Sequence, residues 1–204
     1  MTKISDAQIR KVEAYINNSQ DALTASERVD NLHVPAMHFT VEINNLLRAN
    51  ITPTNAIPFL QELDAAFVDK TNTDQTVYRC FNYLEMVRYI NDGTYIDFGY
   101  MSTSRKKETA ITFAYKPQLG YSPAFLKIKI PAGSNVLDLN LIEGLDNTTY
   151  EQEVLIKRGS KFKITNNELM EDRFQKYLFR SSPYLEKVQM IELDFEGYLP
   201  SLPL

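Results

Sequence analysis

Three places in the sequence combine side chains that could do chemistry with the spacing that chemistry needs. Glu151-Gln-Glu153 separates two carboxylates by one residue. In an extended segment a period of two sends both to one face and Gln152, Val154 and Ile156 to the other. Such a pair suits glycosyl chemistry, with one carboxylate stabilising a cationic sugar and the other accepting a proton. It is also what an ordinary solvated sheet face looks like. Gly99-Tyr-Met-Ser102-Thr103-Ser104 gathers three hydroxyls ahead of a charged turn and a helix, where hydroxyls line a polar site or simply cap the helix N-terminus. Arg79 lies in the strand candidate Val77-Tyr-Arg-Cys-Phe, with Tyr78 and Cys80 on the opposite face. Its guanidinium could grip a diphosphate through two parallel hydrogen bonds, although a salt bridge is the commoner use of such an arginine.

Other chemistries are pruned by what is missing. With seven glycines the chain has no G-x-x-x-x-G-K and no G-x-G-x-x-G loop, so neither standard phosphate cradle is present. H-E-x-x-H is missing too. The two histidines, His33 and His38, are five residues apart without a third; they are read as structural or exposed, and no metal is expected. One cysteine, Cys80, allows no intramolecular disulfide and no multi-cysteine zinc pattern, which fits a reducing compartment. A net charge of -4 and a pI near 5.3 argue against the broad basic surface that carries non-specific nucleic-acid affinity. Arg105-Lys-Lys107 remains as a local basic run, either a solvated helix start or an attractor of anions.

The elements that must position these residues change character along the chain. Ser5 and Gln8 have capping-box spacing, and Ile9, Val12 and Ile16 follow on one face. Val41–Arg48 and Ile57–Phe67 repeat that helical spacing, with Pro58 tolerable in a first turn. From Thr76 the period becomes two. Val77–Phe81, Phe125–Ile130 and the closing Ile191–Phe195 read as strands, Gly159-Ser breaks the run from Glu151 to Ile164, and Glu108–Tyr115 reads as an interposed helix. Helices first and mostly strands afterwards predict an α+β fold in a single domain over 1–204, helical over 1–75 and mainly β over 76–204. A composition of 44% hydrophobic and 24% charged residues is that of a globular chain rather than a disordered one. No signal-peptide pattern and no run of 18 apolar residues appear, so no membrane span is expected and the cytoplasm is the expected location.

The order of the three motifs carries more than each alone. Val77-Tyr-Arg79, then Gly99-Tyr-Met-Ser102-Thr-Ser104 with its Ala110…Phe113-Ala114 helix, then Glu151-Gln-Glu153-Val-Leu-Ile resembles the arginine-serine-glutamate branch of the mono-ADP-ribosyltransferases, the bacterial toxins and phage Mod-like enzymes. Ile43-Asn-Asn-Leu-Leu-Arg48 and Phe59-Leu-Gln-Glu-Leu-Asp64 are similar to the helices that precede the arginine strand in bacterial members. Met190-Ile-Glu-Leu-Asp-Phe-Glu-Gly is similar to the end of the phage enzymes. The likeness spans about residues 40 to 197.

The resemblance implies a split mixed β-sheet core with an NAD cleft, NAD as co-substrate and no metal. Arg79 would contact the phosphates of NAD. Ser102 would hydrogen-bond in the nicotinamide-ribose site and orient Glu153, with Thr103 and Ser104 completing the cofactor-binding serine motif. Glu153 would stabilise the oxocarbenium-like state, and Glu151 would take the proton of an acceptor guanidinium, because arginine is no nucleophile while protonated. A glutamate at the first motif position implies transfer to a protein arginine. The alternatives are transfer to RNA or DNA, an NAD glycohydrolase, and a binding module that has lost catalysis; against the last stand the intact Arg79, Ser102, Glu151 and Glu153. An effector delivered into a target cell's cytosol, with a possible antitoxin or immunity protein as partner, follows from the same resemblance. Three departures stand out: Cys80 replaces a frequent glycine, Lys157 the usual proline of the last motif strand, and the acceptor-loop segment Leu139–Tyr150 has no aromatic before Tyr150.

Overall fold

A computed structural model describes residues 3–28, 39–112, 123–143, 145, 152–171, 187–200 and 202. The chain enters through α1 (Asp6–Ile16), where the capping box forms as its spacing requires: the Ser5 hydroxyl accepts from the Gln8 amide and the Gln8 side chain accepts from the Ser5 amide. Helices α2 (Phe39–Arg48) and α3 (Ile57–Ala65) follow, the latter with Pro58 in its first turn. Their apolar stripes, including Val12, Ile43, Leu60 and Leu63, close into one core. That core is completed by Tyr100, just before the strand Met101–Ser104, and by the sheet residues Leu137 and Leu155, so the helices form a layer against one part of the sheet.

The strands are β1 (Gln75–Asn82), β2 (Ile90–Asn91), β3 (Thr94–Asp97), β4 (Met101–Ser104), β5 (Pro123–Ile130), β6 (Leu137–Asp138), β7 (Glu153–Ile156), β8 (Ser160–Glu171) and β9 (Lys187–Tyr198). Short helices α4 (Tyr83–Met86) and α5 (Lys107–Thr112) interrupt them. The sheet order is β2-β3-β8-β9-β5-β1-β4-β7-β6. Among the described residues only the β5–β9 neighbours run parallel, so the sheet is mixed. The α+β expectation holds.

The join between β1 and β4 positions the site. β1 pairs with β5 along its whole length, from Gln75 opposite Ile130 to Asn82 opposite Pro123, but meets β4 only where Tyr78 faces Ser104. The sheet parts there into a larger portion ending at β1 and a smaller one of β4, β7 and β6. A second core lies between the portions, with Val77, Leu126, Ile128, Ile191 and Leu193 on one side and Met101, Val154 and Ile156 on the other. Residues of opposite parity, Ser102, Ser104, Glu153 and Leu155, therefore look toward the helical layer. Gly159, at φ +72°, makes the tight turn from β7 to β8 that a β-carbon would strain.

Candidate active site

The three motifs come together where the sheet parts. Ser104 stands opposite Glu153 in the β4–β7 ladder and Ser102 opposite Leu155, which makes Ser102 and Glu153 diagonal neighbours on one face. Arg79 arrives from β1, one residue beyond the Tyr78–Ser104 contact. Its Nη1 donates to the Ser102 carbonyl at 2.5 Å, and the guanidinium lies 5.4 Å from the centre of the Phe81 ring. The Arg79 Nε–H is buried without a hydrogen-bond partner among the described residues. An unmet buried donor of this kind costs on the order of 1–3 kcal/mol, which suits a group kept for an anion rather than for the fold.

Glu153 is 9% exposed, and Tyr15 lies within electrostatic reach of both Glu153 and Arg79. Burial pushes the Tyr15 hydroxyl up to about 12, against the pull of the Asn44 hydrogen bond and of the Arg79 and Arg48 charges, while Glu153 adds to the rise. Tyr15 thus stays neutral, donating to the Tyr100 carbonyl at 3.3 Å and accepting from Asn44 Nδ2 at 3.0 Å.

The loop that feeds β4 is fixed by a buried ionic cluster. The Asp97 carboxylate accepts from Arg48 Nε at 2.8 Å, Arg48 Nη2 at 3.0 Å, the Gly99 amide at 2.9 Å and the Tyr95 hydroxyl at 3.1 Å. Burial alone would lower the Arg48 pKa; the attraction and hydrogen bonds of Asp97 overcome it and hold that pKa above the ordinary value. Asn44 Oδ1 accepts from the Tyr100 amide and sits 2.9 Å from where a β-carbon on residue 99 would be, so any larger residue at Gly99 would displace the Asn44 side chain. A second link comes from α3. Asp64 accepts from the Tyr100 hydroxyl at 2.7 Å and from Arg158 at 2.8 Å, with Lys157 Nζ 3.8 Å away. The lysine that replaces a proline thus joins an ion cluster.

Several expectations need correction. Gln152 has φ +48° and lies in a turn, and β7 starts at Glu153. The alternation therefore starts at Glu153, because the residue before it is left-handed and lies outside the strand. Glu151 itself lies outside the described residues, as do His33, His38, Phe113, Ala114 and half of the acceptor-loop segment. Thr103, expected among the cofactor-binding residues, is 3% exposed on the face turned to the inter-sheet core, and its hydroxyl donates to the Val154 carbonyl at 2.5 Å. That bond ties β4 to β7. The Ser104 hydroxyl accepts from the Lys106 amide at 2.9 Å, closing a local turn ahead of α5. Burial pushes the Cys80 thiol up to about 12, so no thiolate forms there near neutral pH. Among the described residues no group of three or more His, Cys, Asp or Glu side chains is placed to hold a metal, and no helix is long and apolar enough to cross a membrane. Sequence reasoning missed Tyr15, Asn44 and Asp97, whose partners lie far away along the chain.

The family model described as ADP-ribosyltransferase exoenzyme matches residues 3–186. The chain belongs to the ADP-ribosyltransferase exoenzyme family. It is an NAD-dependent ADP-ribosyltransferase, with NAD as co-substrate. No curated protein matches the sequence. Among solved structures the chain is similar to the C3larvin toxin of Paenibacillus larvae, at 16% identity and a TM-score of 0.57 over 96% of this chain and 90% of that one. It is similar to C3stau2 of S. aureus, solved with NAD, at 17% identity and 0.55 over 96% and 89%. Exoenzyme S of Pseudomonas aeruginosa, solved with human 14-3-3 protein beta and bound to carba-NAD, matches at 15% identity and 0.56 over 92% and 86%. At these identities the likeness is one of fold. The α+β fold with a mixed sheet that this chain shares with these toxins is the one on which its Arg79, Ser102 and Glu153 are placed.

Proposed function

We propose that this mono-ADP-ribosyltransferase acts as a delivered effector or toxin and transfers ADP-ribose to arginine side chains of a protein. The observation that carries the site assignment is the meeting of Arg79, Ser102 and Glu153 at the single β1–β4 contact. Arg79 would take a phosphate of NAD with the donors that the Ser102 carbonyl leaves unused. Ser102 would hydrogen-bond in the nicotinamide-ribose site and orient Glu153. As the bond between C1′ and the nicotinamide nitrogen breaks, nicotinamide leaves with the electron pair and positive charge develops on the ribose. The buried Glu153 carboxylate stabilises that charge where little water competes with it.

The acceptor step needs a second group. A guanidinium nitrogen that attacks C1′ must give up a proton, and Glu151 would receive it. Support for arginine comes from the glutamate at 151, in a motif position that arginine-directed relatives share by resemblance. The test is incubation with labelled NAD and cell lysate, followed by protease or nuclease. Protease-sensitive label with ADP-ribosyl-arginine in the mass spectrum is expected. Nuclease-sensitive label would make the acceptor RNA or DNA, and nicotinamide release without label would make the protein an NAD glycohydrolase.

A further inference from the structure

Within the basic run Arg105-Lys-Lys107 the first member turns into the catalytic scaffold. Lys107 lies 5.8 Å over the Phe125 ring on the outer face of the larger sheet portion. Arg105 instead donates from Nε and Nη2 to Gln75 Oε1, at 3.2 and 3.1 Å, and from Nη2 to Asp138 Oδ2. Its backbone amide donates to the Gln152 carbonyl at 3.1 Å. Asp138 is 11% exposed and passes the connection on: its Oδ1 accepts from the Asn140 amide and from Asn140 Nδ2, at 3.1 and 3.0 Å. Asn140 Nδ2 lies 3.5 Å from the Glu153 carbonyl.

These contacts touch every strand that carries a site residue. Gln75 opens β1, the strand of Arg79; Arg105 follows β4, the strand of Ser102; Asp138 closes β6, which pairs with β7, the strand of Glu153. β1 and β4 share only one paired position, so backbone hydrogen bonds alone leave the angle between the two sheet portions weakly held. We propose that Arg105 is a positioning residue of the transferase reaction, clasping Gln75 to Asp138 so that Glu153 is held in register with Ser102 and Arg79. The proposal rests on the reading of Glu153 as the carboxylate that stabilises the ribose cation. Arg105 does not touch the substrate. Its geometry explains why arginine serves here: a planar fork reaches two acceptors on different strands, which an ammonium cannot do with the same directions.

The alternative use of Arg105, attraction of anionic NAD, predicts a different kinetic signature. The test measures kcat and KM for nicotinamide release in the full chain and in Arg105→Ala, Arg105→Lys, Asp138→Asn and the Arg105→Ala/Asp138→Asn pair. The clasp predicts that kcat at saturating NAD falls by about 10²-fold, the scale of a small misplacement of reacting groups, with KM nearly constant. Arg105→Lys should not restore it, Asp138→Asn should reproduce the loss, and the pair should be no worse than the more damaging single change, because both cut one connection. Asp138→Asn keeps the side-chain volume and carries the test if Arg105→Ala fails to fold. A raised KM with unchanged kcat, rescued by Arg105→Lys, would overturn the proposal in favour of charge attraction, and additive losses would also overturn it. The reading of Glu153 fails separately, through the behaviour of Glu153→Gln, which leaves the clasp intact.

Discussion

Replacing Asp97 by asparagine should destabilise the protein and loosen the strand that carries Ser102. The carboxylate accepts four hydrogen bonds, two on each oxygen, at 1% side-chain exposure. An asparagine keeps one accepting oxygen and sets an NH2 group against donors that then have no acceptor. Arg48, 9% exposed, stays charged without its counter-ion, retaining the face of Phe81 at 5.1 Å and a 3.4 Å contact to the Tyr100 carbonyl. Breaking one side of a buried pair costs about 3–5 kcal/mol, and the surviving contacts favour the lower end. At about 2–4 °C per kcal/mol for a chain of this size, a loss near 3 kcal/mol lowers Tm by about 6–12 °C. Thermal melts and urea titration read the loss directly. The sharper assay is the double variant Arg48→Met/Asp97→Asn: removing the stranded cation should regain part of the stability, with the thioether packing on Phe81. A single-variant loss below about 1 kcal/mol would put the pair in the class of hydrated surface bridges, and a double variant less stable than Asp97→Asn would refute the stranded-charge reasoning.

Arg79→Ala should weaken NAD binding by about 1.5–3 kcal/mol through loss of a charge-assisted contact, and Arg79→Lys should recover only part of it; unchanged affinity by calorimetry would return Arg79 to a structural role. Glu151→Gln should abolish acceptor labelling while slow NAD hydrolysis persists, since water can still trap the ribose cation; equal loss of both activities would show that Glu151 supports Glu153 instead. In acid, the Lys11 hydrogen bond chiefly, together with bonds from Thr24, holds the Glu27 carboxyl down at about 2. Its folded value lies below the unfolded one of about 4.3, so its contribution is present above that pH and is lost as pH falls toward 2. Glu27→Gln should flatten that part of the stability-pH curve, and an unchanged curve would show that the contact is screened.

How much of this was legible in the sequence depended on where each signal lay. Strands β5 and β9 were readable because Leu126, Ile128 and Ile130, and Ile191, Leu193 and Phe195, alternate with charged residues. β4 was not, since Met-Ser-Thr-Ser offers hydroxyls that read equally as a cap; pairing with β1 and β7 makes it a strand, and the Ser104 hydroxyl closes the following turn as well. The left-handed turn at Gln152 broke an alternation that residue types alone supported, because glutamine carries no turn signal. Arg79, Ser102 and Glu153 could be chosen from their order along the chain. Arg48–Asp97 and Tyr100–Asp64 join residues 49 and 36 positions apart, and Arg105 bridges β1 to β6; such pairings exist only once the sheet has parted and the helices have packed on it.

The central claim is that the Glu153 carboxylate stabilises the ribose cation at the parting of the sheet, and Glu153→Gln tests it most directly. The side chain keeps its size on a strand whose ladder to β4 is made by backbone groups, so circular dichroism and Tm should change little. Nicotinamide release from NAD, followed by chromatography at saturating NAD, should fall by about 10²-fold or more, because an amide supplies no negative charge to the developing cation. Nicotinamide release at the wild-type rate from folded Glu153→Gln would contradict the account.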